Sequence, residues 1–270
     1  MSAGLDPAQV RRAAARAAAT YEGHAVLQAE IGARLLERLD AYPDFAPQRI
    51  LDVGAGPGRT SAALATRFPA AEFIALDVAL PMLHAARTRL GPAAQCVGAD
   101  AQALPFIDGS IDLLHANLCL HWCDDPGLAI AEFRRVLTTD GMLLFSTFGP
   151  DTLKELRAAS EEVDGLPRVS RFVDMHDIGD ALLASGFRRP VVAREDFTLT
   201  YPDALALMRD LRALGATNAD IRRHRALTGK TRLARLAAAL DSRRRAGVLP
   251  ATFEAVLAAA EVPAWRLRQV

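Results

Sequence analysis

The stretch that decides the fold is Ile50-Leu-Asp-Val-Gly-Ala-Gly-Pro-Gly58, where an apolar run enters a turn containing Gly54, Gly56 and Gly58. Glycine accepts positive φ angles and lets a ligand approach the main chain closely. An apolar strand followed by a glycine turn and a helix is typical of a nucleotide-binding crossover. The spacing differs from the dinucleotide pattern Gly-x-Gly-x-x-Gly, and Asp52 stands just before the turn. A carboxylate there would repel a pyrophosphate, and it would suit a cationic ligand, such as one that carries an ammonium and a sulfonium.

Length and composition favour one large α/β domain with an addition. The chain has 270 residues, of which 51% are hydrophobic, so it is long and apolar enough for a full core. Lys+Arg and Asp+Glu are both 32, so no overall charge points to nucleic acid. The sequence contains no run of about 18 apolar residues, so it predicts no membrane span. Residues 11–19 faintly resemble a mitochondrial presequence, but we favour an ordinary Ala/Arg helix and predict a cytoplasmic protein.

Apolar periodicity predicts strands that alternate with helices between residues 49 and 148. The strands predicted in this region are Arg49–Val53, Glu72–Asp77, Gln95–Gly98, Ile111–Ala116 and Met142–Phe148. The predicted helices are residues 7–20, 24–40, 62–68, 127–137, 151–160 and 176–184, with another entered at Pro81. This rhythm is typical of a doubly wound, mostly parallel sheet.

Two later segments bring the predicted sheet to seven strands. Val191–Tyr201 alternates like a long strand, and Thr252–Leu257 could supply the last one, although its Ala-rich continuation also fits a helix. We therefore expect an α/β fold with an added helical cover. The expected parts are N-terminal helices (1–48) over the binding cleft, a ligand-binding core (49–150) and the rest of the sheet (151–270). Within that last part, residues 151–175 and 202–249 form the cover.

Polar residues end four of the predicted strands. Ligands bind outside the carboxyl ends of parallel strands, so these residues should meet in one cleft. Asp77, at the end of the second strand, could accept hydrogen bonds from both hydroxyls of a ribose. Asp100 and Ala101 could contact an adenine, and Asn117 would lie near the reactive group of the ligand. With Asp52, four strand ends each supply a suitable group.

Residues 49–148 resemble the class I S-adenosylmethionine-dependent methyltransferases. The resemblance is carried by Leu51–Gly58, by Asp77, by the Asp100 turn and by the Leu104–Asp112 segment. It implies that the glycines line the methionine part, that Asp77 binds the ribose, and that Met82 packs on the cofactor. The predicted cofactor-binding residues are Asp52, Gly54, Ala55, Gly56, Gly58, Asp77, Val78, Met82, Asp100, Ala101 and Asn117.

A narrower resemblance is to the malonyl-acyl-carrier-protein O-methyltransferase family of biotin synthesis. The segments that carry it are Asn117–Trp122, Phe148–Leu156, Arg171–Asp177, Leu199–Asp203, Leu207–Asn218 and Leu227–Gly229. It implies methyl transfer from S-adenosylmethionine to the free carboxylate of malonyl-acyl-carrier protein, which leaves S-adenosylhomocysteine and a methyl ester. Ala258–Trp265 departs from the family's usual Gly-His-Ala-Trp-like close, which leaves the register of the last strand open.

The expected chemistry needs few catalytic groups, because a carboxyl near its reference pKa is ionised at neutral pH. No certain catalytic residue is therefore assigned. Arg171 is the candidate that would bind the malonyl carboxylate, or it forms a surface ion pair instead. The other candidates for substrate binding and positioning, which packing alone could also explain, are Tyr21, His121 and Trp122. Cys119, His121 and Cys123 cluster, but a metal normally needs four ligands, so no metal is predicted.

Residues 202–249 carry eleven basic and four acidic residues, a net charge of +7 in a neutral chain. Acyl-carrier proteins are acidic, so a basic cover would steer a carrier to the cleft and favour the phosphate of its pantetheine arm. A solvated helix face is the ordinary alternative. The arginines predicted to dock the carrier are Arg209, Arg212, Arg222, Arg223 and Arg225. We expect neither nucleic acid nor membrane as a partner.

Two other functions fit parts of the pattern. The mitochondrial complex I assembly proteins, which are protein-arginine hydroxylases, share the Leu-His-Trp and Gly-x-Asp-Thr-Leu-x-Glu-Leu patterns seen here at 120–122 and 149–156. The match over residues 170–229 argues against them. A non-catalytic scaffold that binds S-adenosylmethionine is the other alternative.

Overall fold

A seven-stranded sheet forms the centre of the computed structural model, which describes residues 4–165, 168–221, 223 and 229–263. The strands are β1 (Arg49–Val53), β2 (Glu72–Asp77), β3 (Gln95–Gly98), β4 (Ile111–Ala116), β5 (Leu137–Phe148), β6 (Arg188–Tyr201) and β7 (Leu249–Glu261). Their order across the sheet is β3-β2-β1-β4-β5-β7-β6. Strands β1 to β5 pair in parallel, and β7 lies antiparallel between β5 and β6. The predicted mostly parallel sheet is confirmed.

Helices cover both faces of this sheet. They are α1 (Pro7–Ala17), α2 (Tyr21–His24), α3 (Val26–Glu37), α4 (Arg59–Arg67), α5 (Leu80–Leu90), α6 (Pro126–Val136), α7 (Lys154–Asp164), α8 (Met175–Ala184), α9 (Ala204–Ala213) and α10 (Lys230–Asp241). Successive residues of a strand point to opposite faces, so Ile50 and Leu51 of β1 enter two separate apolar clusters. Ile50 packs in the cluster that contains Ile31 of α3, and Leu51 in the cluster that contains Phe133 of α6. This two-sided burial is the reason that the central strands read as continuous apolar runs.

The start of α4 differs from the prediction. A helix was expected over residues 62–68, whereas Gly58 occupies the N-cap position and the helix begins at Arg59. Ser61 lies inside the first turn and donates its hydroxyl hydrogen bond to the buried Asp52. The hydroxyl therefore serves the site behind the glycine turn rather than the helix end.

The C-terminal strand resolves the Ala-rich segment that fitted either a strand or a helix. Strand β7 runs for 13 residues, well beyond the predicted Thr252–Leu257, and Ala255 to Ala258 have no exposed surface. Its register is set on both sides, with Phe148 opposite Ala255 and Tyr201 opposite Leu249. The helix propensity of alanine is a weak preference, and pairing with two neighbouring strands overrides it.

Strands β6 and β7 extend past the rest of the sheet. Strand β5 ends at Phe148 opposite Ala255, while residues 249–254 of β7 pair with β6 alone. This two-stranded ribbon projects beyond the carboxyl edge of the parallel strands. Apolar residues of α7, α9 and α10 belong to the same cluster as the ribbon's Phe253. Among the described residues, no helix is long and apolar enough to cross a bilayer.

Candidate active site

Two adjoining cavities open at the carboxyl edge of the parallel strands. The main cavity, about 990 Å³, lies over the ends of β1, β2 and β4 and is bordered by Val53, Asp77 and Asn117 among others. The side cavity, about 450 Å³, lies between α3 and the glycine turn and includes Gln28 and Asp52 in its wall. Tyr21, Gly54, Gly56 and Asn117 border both, so the two cavities form one continuous site. Their size suits a ligand as large as a nucleoside with a substituent.

The glycine turn forms the floor between the two cavities. The backbone N–H groups of Gly54 and Ala55 donate to the Leu76 carbonyl oxygen at 2.8 and 3.0 Å. Gly54 has a φ of +70°, and a Cβ there would lie 2.8 Å from the Cys119 Sγ. At Gly56, with a φ of +55°, a Cβ would meet no protein atom within 4 Å and would project into the site. A side chain at 56 would therefore occupy the space of a ligand.

Gly58 has a different role from the one predicted. It does not border either cavity. Its φ is +81°, and a Cβ there would lie 3.1 Å from both the Cα and the Cβ of Ala86. The third glycine thus allows α4 to start and to pack closely on α5. The spacing of the three glycines alone could not separate ligand contact from helix packing.

Asp77 is the best-oriented carboxylate of the main cavity. Its Oδ2 accepts the Gly56 N–H at 3.0 Å and its Oδ1 accepts the Ala79 N–H at 2.8 Å. Burial raises the pKa of Asp77 to about 6, with a further contribution from the charge of Asp52, although the two backbone N–H groups oppose the shift. The carboxylate is therefore held in one orientation and is ionised at neutral pH.

Asp52 is buried beneath the glycine turn and borders the side cavity. Its Oδ1 lies 2.8 Å from Nδ1 of His115, and its Oδ2 accepts from Ser61. His115 lies directly opposite Asp52 in the register of β1 and β4. Asp52 was predicted to face a cationic ligand, but much of its hydrogen-bonding capacity is used by these two neighbours. The sequence shows the acid and not its partners, because they come from a helix and from another strand.

Residues after β2 and β3 form the far end of the main cavity, with Val78, Met82, Asp100, Ala101 and Gln102 in its wall. The Oδ1 of Asp100 accepts the Gln102 N–H at 2.9 Å, which closes the turn and orients the carboxylate. Met82 is buried and packs with Ala17 of α1 and with Ala79. Asp100 and Ala101 were expected to flank an adenine, and Val78 and Met82 to bind the same ligand. The structure brings these four residues together beside Asp77. Ala55 was expected to bind the same ligand and lies in the wall of the side cavity.

Tyr21 and Asn117 lie where the two cavities meet. Burial raises the pKa of Tyr21 far above its usual range, and the nearby charges of Asp77 and Glu22 add to the shift, so its hydroxyl stays protonated. The Nδ2 of Asn117 donates to the Gln28 carbonyl oxygen at 2.9 Å, and its Oδ1 accepts from the Ser146 hydroxyl at 2.7 Å. These bonds hold the amide of Asn117 between β4, β5 and α3.

Two segments distant in the sequence form the roof of the main cavity. Pro7, Val10 and Ala14 of α1 and Leu214–Gly215 after α9 line it from above. Gly215 has a φ of +73°, and a Cβ there would lie 3.0 Å from the Ala13 carbonyl oxygen. Sequence reasoning placed N-terminal helices over the cleft, but it missed residues 214–215 and also Cys119, Gln102 and Asp124 in the wall. Nothing local to these residues indicates a ligand.

His121 packs in an aromatic cluster behind Trp122, which lines the main cavity. Its ring centroid lies 5.1 Å from Trp122, 4.8 Å from Phe148 and 5.8 Å from Phe172. Burial lowers the pKa of His121 to about 3, so the ring is neutral at physiological pH. Its Nδ1 is buried without a hydrogen-bond partner among the described residues, and the residue itself does not border either cavity.

The predicted substrate arginines have different environments. Arg171 is exposed and lies outside the lining of both cavities, next to Phe172 of the aromatic cluster. Arg209 and Arg212 are exposed on α9, and neither forms an ion pair with a described residue. Arg223 instead pairs with Asp6 at 2.8 Å, which neutralises it and ties the segment to the N-terminus of α1. Arg222 and Arg225 lie outside the described residues.

The cysteine and histidine cluster is arranged as packing. Cys119 and Cys123 are neighbours, and both border the main cavity. The neighbouring Cys123 and burial raise the pKa of Cys119 well above its usual value, which favours the thiol over the metal-binding thiolate. Within the described part of the chain, no group of three or more Cys, His, Asp or Glu residues is placed to hold a metal ion.

Comparison with known proteins identifies the family to which this chain belongs. A family model described as a methyltransferase domain matches residues 51–145. A malonyl-[acyl-carrier protein] O-methyltransferase of Methylovorus sp. is 47% identical, with 97% of this chain and 91% of the relative aligned. One of Xylella fastidiosa is 48% identical, with 97% and 90% aligned. The chain belongs to the malonyl-acyl-carrier-protein O-methyltransferase family.

Solved structures show the fold of this family member independently. A phosphoethanolamine N-methyltransferase of Haemonchus contortus, in complex with S-adenosyl-L-methionine, superposes with a TM-score of 0.58 at 18% identity. The match covers 91% of this chain and 56% of that one. The YcgJ protein of Bacillus subtilis has a TM-score of 0.59 at 19% identity and covers 86% of this chain and 98% of its own. At these identities the likeness concerns the fold alone.

Proposed function

We propose that the protein transfers a methyl group from S-adenosylmethionine to the free carboxylate of a malonyl group carried by acyl-carrier protein. The products are the malonyl methyl ester and S-adenosylhomocysteine. The observation that carries this proposal is the near-full-length similarity, at 47–48% identity, to enzymes of that name. The two joined cavities supply a site of suitable size and polarity.

The residues of the site fit S-adenosylmethionine. Gly56 leaves a space that any side chain would fill, and Asp77 holds two oriented acceptor oxygens beside it. The bound cofactor supplies an electrophilic methyl group on a sulfonium. Asp77 would accept the ribose hydroxyls, and the turn at Asp100 would border the adenine.

Tyr21 is an uncharged polar group where the two cavities meet, and it keeps its proton because burial raises its pKa. Behind Trp122, His121 is also neutral, because burial lowers its pKa. A malonyl carboxylate is already ionised, so no side chain has to remove a proton. The contribution of the protein is then to align the reacting atoms and to exclude water, which the roof of α1 and Leu214–Gly215 supports.

Two finer assignments belong to the same proposal. Arg171 would bind the malonyl carboxylate, since it directly precedes Phe172 of the aromatic cluster beside Trp122. Arg209 and Arg212 would dock the acidic carrier, because they are exposed on the helix that leads to the roof at Leu214 and form no ion pair with a described residue. Charge attraction of this kind mainly increases the association rate.

Transfer of a labelled methyl group tests the proposal. Incubation with methyl-labelled S-adenosylmethionine and malonyl-acyl-carrier protein should place label on the carrier as a base-labile ester, and unacylated carrier should stay unlabelled. An arginine hydroxylase or a scaffold would bind the cofactor without this transfer, so tight binding with no labelled ester contradicts the proposal. In the same assay, turnover by Arg171→Ala close to that of the wild type would remove Arg171 from it.

A further inference from the structure

The wall of the side cavity contains a buried acceptor atom that no described residue uses. The Oε1 of Gln28 is buried and has no hydrogen-bond partner among the described residues. Gln28 lies in the wall of the side cavity together with Asp52, Thr60 and Asn117. A buried acceptor without a donor costs about 1–3 kcal/mol, so such an atom in a cavity wall indicates a donor that arrives with the ligand.

The acids of the same wall are already engaged. Glu22 accepts hydrogen bonds from Arg59 at 2.7 Å and from Arg89 at 3.0 Å. Asp52 accepts from Ser61 and lies 2.8 Å from the ring nitrogen of His115. The amide oxygen of Asn117 accepts from Ser146. Among the carboxylate and amide oxygens of this wall, that of Gln28 is therefore the one that accepts no hydrogen bond from a described residue.

The backbone of α3 holds Gln28 in place. Its carbonyl oxygen accepts the Nδ2 hydrogen of Asn117 at 2.9 Å. Gly32, one turn later on the same face of the helix, has no room for a side chain, because a Cβ would lie 2.9 Å from Thr60 Oγ1 and 3.0 Å from Asn117 Nδ2. Helix α3 thus approaches the end of β4 and the start of α4 as closely as glycine permits, and it carries Gln28 to the cavity.

We propose that Gln28 accepts a hydrogen bond from the α-ammonium group of the cofactor's amino-acid end and so selects ligands that carry this group. The inference rests on the proposed use of S-adenosylmethionine. The main cavity contains Asp77 and the Asp100 turn, which suit the nucleoside, so the amino-acid end extends toward the side cavity. An amide oxygen carries a partial negative charge and therefore attracts the ammonium.

Calorimetric titration of full-length variants tests this assignment with two ligands. The first is S-adenosylhomocysteine, and the second is its analogue that lacks only the α-amino group. Gln28→Met keeps the size of the side chain and removes the acceptor, so it should weaken S-adenosylhomocysteine roughly ten- to hundred-fold, the range of a hydrogen bond to a charged group. The dissociation constant of the deaminated analogue should change by less than about threefold, because it has no ammonium to lose.

Two further variants control for folding and position. Gln28→Glu keeps an acceptor oxygen and should bind S-adenosylhomocysteine more tightly than Gln28→Met does. Gln102→Met makes the same replacement at the opposite end of the main cavity and should weaken both ligands by the same factor. Unfolding curves of each variant show that the measured protein is folded.

The outcomes separate this inference from the proposed function. If the wild type binds S-adenosylhomocysteine and Gln28→Met binds it equally well, the assignment of Gln28 is wrong while the function stands. Equal losses for both ligands, or a Gln28→Glu variant as weak as Gln28→Met, also overturn the assignment. A wild type that does not bind S-adenosylhomocysteine contradicts the proposed function itself.

Discussion

Asp77 links the geometry of the cofactor site to pH. Its pKa is raised from 3.8 to about 6, chiefly by burial, so the ligand-free protein takes up a proton there as the pH falls below about 6. Ribose hydroxyls need the ionised carboxylate as acceptor, and the affinity is therefore present above that pH and lost below it. We expect the dissociation constant of S-adenosylhomocysteine to rise about tenfold per pH unit below about pH 6, measured by calorimetry. Asp77→Asn should bind weakly at every pH, and a flat wild-type profile between about pH 5 and 7 would contradict this role.

His121 should affect stability rather than the ionisation of the site. Its pKa is lowered by burial from 6.5 to about 3, so below about pH 6.5 the unfolded chain binds a proton that the folded protein does not. The contribution of this residue to the free energy of unfolding is therefore fully present above pH 6.5 and is lost as the pH falls. Between about pH 7 and 5 the wild type should lose about 2 kcal/mol of unfolding free energy from this residue. His121→Phe, which keeps a ring among Trp122, Phe148 and Phe172, should remove that loss in urea titrations. Identical pH profiles for the two proteins would show that the ring is not buried as a neutral group.

At the level of elements, direct contacts join the N-terminal region around α1 to the segment at and after the end of α9. The hydroxyl of Thr20 donates to the Ala213 carbonyl oxygen at 2.8 Å, and the N–H of Asp6 donates to the Ala219 carbonyl oxygen at 2.8 Å. The two parts approach closely at Gly215, where a Cβ atom would lie only 3.0 Å from the Ala13 carbonyl oxygen. These contacts make the roof of the main cavity one unit built from two distant parts of the chain.

Gly215→Ala should displace this roof. The substitution adds a methyl group against α1 and forces alanine into a positive φ, so we expect a loss of about 2 kcal/mol in unfolding free energy and a several-fold weaker binding of S-adenosylhomocysteine. Gly247→Ala is the matched control, because Gly247 also has a positive φ, +84°, and a Cβ there meets nothing within 4 Å. The control should lose only the backbone term, about 1 kcal/mol, and keep its affinity. Equal effects of the two variants would mean that the contact with α1 does not shape the cavity.

The strands and helices also show how much of the secondary structure local sequence patterns predict. The predicted bounds of β1 to β4 are confirmed by the structure, because each is an apolar run bounded by residues that end strands. The predicted extent of β7 was too short, since Ala-rich segments lack a local preference strong enough to predict a strand of 13 residues. The predicted start of α4 was also wrong. The helix begins at Arg59, and Ser61 of its first turn donates to Asp52, a contact that the local sequence does not show.

On the scale of the whole molecule, charge is unevenly distributed in a neutral chain. Arg209 and Arg212 are exposed on α9 beside the roof, whereas Arg223 is neutralised by Asp6. Reversing the first pair to glutamate should raise the KM for malonyl-acyl-carrier protein at least about tenfold at low salt, and less at high salt. The dissociation constant of S-adenosylhomocysteine should not change, because these side chains do not border the cavities.

Arg188→Glu provides the control for this experiment. Arg188 is exposed at the start of β6, opposite Glu261, and so at the edge of the sheet remote from the cavities. The same type of charge change there should leave the KM for the carrier within about twofold. If both reversals raise the KM equally, the effect is one of overall charge, and α9 is not the docking surface.

The sequence by itself determined the sheet-and-helix rhythm, the glycine turn and the polar residues at the strand ends, because each depends on neighbours a few residues away. It also carried the family, through motifs spread over most of the chain. Only the tertiary structure decided that Gly56 borders the ligand space while Gly58 packs against Ala86. It likewise decided that Asp52 is held by His115 and Ser61, that Arg171 lies outside the cavities, and that Gly215 closes on α1. These outcomes depend on contacts between residues far apart in the chain, and such contacts leave no local pattern.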